Sequence, residues 1–142
     1  MKGPVHAVAA CVTLFLCPAD VAQAQTRAKA DVTCKPAGAA LHYDCIIKLV
    51  EARGNAPLSG VTLSVGANMP SMPGMHHLRP VQAVEDEKGT YRAQLILEMH
   101  GDWALALNVS GKMRDRVIKA LRFEPDRVEE AKSAGKPKAL GN

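Results

Sequence analysis

A chain of 142 residues, 47% apolar and 4% aromatic, with eleven Gly and nine Pro, suits one domain with a real core rather than two. Its 18 basic and 14 acidic side chains give a formal charge of +4. The Lys and Arg are scattered, and only four aromatic residues follow the N-terminal segment, which argues against a base-stacking nucleic-acid surface. No apolar run reaches the roughly 18 residues that a membrane-spanning helix needs.

Residues 1–24 read as a cleaved signal peptide. Lys2 gives the positive start, Val5 to Cys17 forms an apolar stretch of the right size, and Ala22-Gln23-Ala24 presents small residues to a signal peptidase. Cleavage is expected before Gln25, and the compartment is periplasmic or extracellular. The rival is a lipid anchor. However, Val8-Ala9-Ala10-Cys11 lies inside the apolar run, and Leu14-Phe15-Leu16-Cys17 has bulky residues where small ones are needed.

Export simplifies the cysteines. Cys11 and Cys17 leave with the leader, and Cys34 and Cys45 remain. In an oxidising compartment a lone pair most simply forms a disulfide, closing a loop of about a dozen residues and contributing on the order of 3 kcal/mol. A thiolate metal pair is the alternative, although the spacing is not a zinc pattern.

In chain order, residues 25–30 form a flexible lead-in, 31–123 the folded domain and 124–142 a charged flexible tail. Tyr43, Cys45, Ile47 and Leu49 alternate with polar neighbours at the period of a half-buried strand. Residues 54–60 form a loop, and Val61, Leu63 and Val65 begin a second alternating run. A Met- and Pro-rich segment, 69–80, precedes a possible strand at 81–85. Tyr91, Ala93, Leu95, Leu97 and Met99 then share one face. His100-Gly101-Asp102 turns, and Trp103, Leu105, Leu107 and Val109 share the opposing face, which reads as a hairpin. Residues 117–123 fit a last strand. About seven short strands at such spacing predict an all-β, immunoglobulin-like β-sandwich with Tyr91 and Trp103 in its core.

The chemistry is concentrated. After residue 24 there are five Met and four His, and seven of these nine fall in two stretches: Met69, Met72, Met75, His76 and His77, then Met99 and His100. Thioether sulfur suits Cu(I), and imidazole suits Cu(II) as well. Pro70 and Pro73 predict an extended, polyproline-like backbone with successive Met about 9 Å apart, so that a single site needs a bend at Gly74 or ligands from the second stretch. Several of these residues also have an ordinary reading, Met72 and Met75 least of all. Met69 finishes a strand, Met99 packs on the inward face, and His100 is an exposed turn residue. The neighbours His76 and His77 point opposite ways, so only one easily joins a given site. His42 and Met113 are isolated.

Enzyme readings find little support. There is no Gly-x-Ser-x-Gly elbow and no Gly-rich phosphate loop before a helix, and residues 85–87 read as a solvated acidic turn. The sequon Asn108-Val109-Ser110 lies in a strand and decides nothing.

Gly89-Thr90-Tyr91-Arg92-Ala93, residues 95–109 with Gly101 and Trp103, and the segment from Pro57 to Val61 leading into Met69–Met75 resemble the YtkA-like family and its relative FixH. The likeness spans roughly residues 31–123. It implies an immunoglobulin-like domain, exported or membrane-anchored outside the cytoplasm, often in a copper-handling setting, and FixH itself is associated with assembly of cbb-type cytochrome oxidases. The expectation is therefore an exported copper-binding protein, a carrier or sequestering factor, in contact with a copper-receiving or efflux protein. The competing expectation is a metal-free accessory domain of an oxidase-assembly or efflux system, whose Met/Pro loop is a protein-contact surface.

Overall fold

Alternating burial organises the chain into two antiparallel sheets in the computed structural model, which describes Gly3 and residues 26–132. Nine strands occur among the described residues: β1 (Ala28–Pro36), β2 (His42–Glu51), β3 (Thr62–Asn68), β4 (His77–Gln82), β5 (Val84–Glu87), β6 (Thr90–Ile96), β7 (Gly101–Ser110), β8 (Asp115–Phe123) and β9 (Val128–Glu130). The first sheet has the order β1-β2-β6-β5 and the second β4-β3-β7-β8-β9. This is the expected all-β sandwich. The expected signal peptide, residues 1–24 apart from Gly3, together with Gln25 and the chain beyond residue 132, lies outside the described residues.

One face of β1, β2, β3, β6 and β7 is buried, and β8 joins them at its Leu121–Phe123 end. Tyr43, Cys45, Ile47 and Leu49 of β2 meet Leu63 and Val65 of β3 and Trp103, Leu105, Leu107 and Val109 of β7 in a single core. Trp103 and Tyr91 are each 1% exposed, and full burial of one large apolar side chain contributes about 1.5–3 kcal/mol. The Tyr43 and Phe123 rings pack edge to face across the layers, centroids 4.8 Å apart. The hydroxyls of Tyr43 and Tyr91 are satisfied at the rim. Tyr43 donates to the Glu124 carbonyl at 2.9 Å, and Tyr91 to the Leu58 carbonyl at 2.9 Å. Burial raises the pKa of both phenols.

Cys34 and Cys45 face each other in the β1–β2 register and are disulfide-bonded. The thiolate alternative therefore does not arise.

Four expectations change. First, there are nine strands rather than about seven. The run expected at 81–85 is divided by Ala83, which donates to the Leu63 carbonyl at 2.9 Å where the chain leaves the second sheet for the first. Second, the lead-in yields Ala28–Ala30 to β1, with Ala30 buried. Third, the tail yields β9, which pairs with β8.

Fourth, the hairpin is not a hairpin. β6 pairs with β2 and β5, whereas β7 pairs with β3 and β8. Alternation reports which face of a strand is buried, and two faces that meet across a sandwich carry the same pattern as two that share a sheet. Residues 97–100 consequently form a corner between the layers. Alternation stops there, and Met99, expected to point inward, is 36% exposed.

Candidate functional site

The chain between β3 and β4 is a compact loop, not an extended one. Met72 N–H donates to the Met69 carbonyl at 3.1 Å, Met75 N–H to the Met72 carbonyl at 3.2 Å, and Met69 N–H to the His76 carbonyl at 3.4 Å. Two successive four-residue turns thus replace the polyproline spacing. In the second, Met72-Pro73-Gly74-Met75, Pro occupies the second position and Gly74 the third, at φ +77°. That is the residue order of a type II turn, in which Pro presets its own φ and only Gly readily adopts the positive one.

This loop lies against the corner at 97–101. Gly101 makes the approach possible: the Cβ of any other residue there would stand 3.0 Å from Met69 Cε. His76 Nδ1 lies 2.6 Å from Glu98 Oε2, and a carboxylate oxygen only accepts, so the imidazole proton on Nδ1 is the donor. The corner is fixed from below and from the side. Trp103 Nε1 donates to the Met99 carbonyl at 3.1 Å, and Leu97 N–H donates to the Leu41 carbonyl at 2.9 Å.

The expected site residues differ sharply in exposure. Met69 is 4% exposed and belongs to the core. Met72 is half-buried against the core, whereas Met75 is 73% exposed. His76 is half-buried and turned toward Glu98, while His77 is exposed as the first residue of β4, opposite Asn68. His100 is exposed beside Met99.

The sheets bring in a further histidine. His42 opens β2 and pairs with Ile96 at the end of β6, immediately before the corner. All the histidines among the described residues, and every methionine there except Met113, therefore gather at one end of the sandwich. In the sequence His42 stands isolated from the other histidines, because the β2–β6 register that brings it here is a long-range feature. Glu98 carries no motif that singles it out in the sequence. Its signal was its place between Leu97 and Met99 in the second stretch.

Beside the corner, Asp102 accepts both arms of the Arg122 guanidinium at 2.7 and 2.9 Å, which holds its carboxyl below the usual range. No group of three or more His, Cys, Asp or Glu side chains placed to hold a metal ion occurs among the described residues, so a metal site at this end would have to draw on thioethers. A hollow of about 450 Å³ lies elsewhere, on the outer face of the first sheet, where Asp44, Arg92 and Gln94 line it and no Met or His does.

The fold and this end define a small disulfide-bonded β-sandwich with a methionine- and histidine-rich rim. The chain belongs to the YtkA-like family, which it matches over residues 22–108, from before β1 into β7. Neither the curated proteins nor the solved structures contain a match to it.

Proposed function

We propose that this protein is an exported copper-binding protein, a carrier or sequestering factor, that holds Cu(I) at the methionine- and histidine-rich end. The donors are Met72, Met75, His76 and Met99, with His77 and His100 at the margin. Met69 supports the loop from the core. Thioether sulfur favours the soft monovalent ion, and the imidazoles extend the set toward Cu(II). The observation that carries the reading is the 2.6 Å His76–Glu98 bond, which joins two stretches, separate in sequence, that hold nearly all of the candidate ligands. On this reading the protein is no enzyme. Met75, 73% exposed, is the donor best placed to pass the ion to a copper-receiving or efflux protein by ligand exchange.

The same exposure favours a second reading, in which Met75 and Met99 are adaptable apolar contacts for a partner and no metal is bound. Titration with Cu(I) against a chromogenic chelator separates the two. Met72→Leu with Met75→Leu preserves apolar bulk at a packing cost typically under ~1.5 kcal/mol. Loss of Cu(I) binding in a folded double variant supports the metal site. Binding equal to the parent's rejects it and leaves the contact surface.

A further inference from the structure

We infer that Glu98 is the positioning residue of the metal site, fixing His76 so that Nε2, and not Nδ1, is the ligand nitrogen. The inference rests on the copper reading. An imidazole offers a metal only the nitrogen that carries no proton, and which one this is depends on the bond the other makes. At 2.6 Å Glu98 Oε2 occupies the Nδ1 side, so the neutral ring keeps its proton there and its Nε2 lone pair faces away from the carboxylate. A metal-bound histidine commonly has this carboxylate partner, which orients the ring and strengthens it as a donor.

The surroundings suit a positioning role. His76 is held through its main chain as well, because its carbonyl accepts from Met69 N–H and closes the loop. Glu98 stands in a corner anchored on both sides of it, by Leu97 N–H and by the Met99 carbonyl. The ring is thus oriented between two braced segments before any ion arrives. Were the pair only a surface ion pair, its side chains being 28% and 56% exposed, it would contribute little to stability and nothing to ligand choice.

Long-range proton–nitrogen spectra of the metal-free protein, taken at a pH where the ring is neutral, should show His76 protonated at Nδ1 and bare at Nε2. In Glu98→Ala the two tautomers should mix. Cu(I) affinity, measured by chelator competition, should fall about 10- to 100-fold in Glu98→Ala. Glu98→Gln, which keeps an acceptor oxygen, should recover part of the loss, and Glu87→Gln, an exposed carboxylate on β5, should cost nothing. In a His76→Ala background Glu98→Ala should have no further effect, because Glu98 acts through the ring. A persisting loss in that background would make Glu98 a ligand in its own right and overturn the assignment. So would a neutral parent His76 ring protonated at Nε2 and bare at Nδ1, or a Glu98→Ala affinity within twofold of the parent's. A parent protein that takes up no Cu(I) rejects the copper reading itself, a result distinct from all of these.

Discussion

The Trp103 indole N–H donates to the main-chain carbonyl of Met99 at 3.1 Å, so the largest side chain of the core holds the backbone of a candidate ligand. Trp103 is the third residue of β7 and points inward, whereas Met99 lies in the corner before that strand, with its side chain partly in solvent. Core packing and the geometry of the rim are thereby one problem. Trp103→Phe tests the link, because it keeps an aromatic ring and removes the donor. The variant should lose about 2 kcal/mol of stability in urea unfolding, from the missing hydrogen bond and the smaller ring. Its Cu(I) affinity should fall as well, since residues 97–100 lose one of their two tethers. A stability loss with affinity unchanged would mean that the corner is held without the indole.

The Cys34–Cys45 bond joins directly opposed residues of β1 and β2, both buried. Thiol counting on unreduced, denatured protein should find none free among these two. Replacing both by Ala should lower unfolding stability by about 3 kcal/mol, chiefly by releasing the unfolded chain. Copper binding should survive, because the disulfide stands apart from the donor set. A double variant as stable as the parent would show that the β1–β2 ladder and core suffice without the bond.

What the sequence made legible follows from the range of each interaction. The inward faces of β2, β6 and β7 were readable because burial alternates with period two, as Tyr43, Tyr91 and Trp103 illustrate. Strand pairing was not, since the partners of β6 and β7 are set by closure of the core rather than by the four residues between them. The turn at Met72–Met75 was written in Pro73-Gly74, and weighing proline only as an extended-chain residue concealed it. The nearness of His76 to Glu98, and of His42 to the corner, depends on which strands end together. No local pattern encodes that.

Gly89 is a place where no other residue fits. It has φ +72°, and a Cβ there would stand 2.7 Å from Pro57 Cβ and 2.9 Å from the Leu49 carbonyl oxygen. Its own carbonyl accepts from Leu49 N–H at 2.7 Å, so the turn cannot shift away without breaking that bond. Gly38 has a similar φ of +75° and open space around it. Gly38→Ala should therefore cost only backbone strain, about 1 kcal/mol, and Gly89→Ala at least twice as much. Equal losses in urea unfolding would show that the β5–β6 turn moves to accommodate the methyl group.

Acid should unfold the sandwich by way of two carboxylates that act as clips. Asp115, at the start of β8, accepts from Ala28 N–H at 2.7 Å and Arg116 N–H at 2.8 Å, tying the first strand of one sheet to the other sheet. The Ala28 bond leads in lowering its pKa, with Arg116 N–H and the Arg27 charge adding to it. Glu85, on β5, accepts from Gly60 N–H at 2.9 Å and Gly89 N–H at 3.0 Å, pinning the loop before β3. Its pKa is lowered first by the Ser59 side chain, then by the Gly89 and Gly60 amides. A carboxyl whose folded pKa is depressed binds its proton more readily in the unfolded chain. Each clip therefore contributes fully above the ordinary carboxylate value of about 4, and its contribution fades as pH falls through the lower folded value. Urea midpoints measured from neutral pH down to about pH 2 should fall steeply below about pH 4 in the parent. Asp115→Asn and Glu85→Gln should each start lower at neutral pH and decline less, so that the curves converge in acid. Parallel curves, offset by a constant amount across the whole range, would mean that these carboxylates stabilise the fold by shape alone and that acid acts elsewhere.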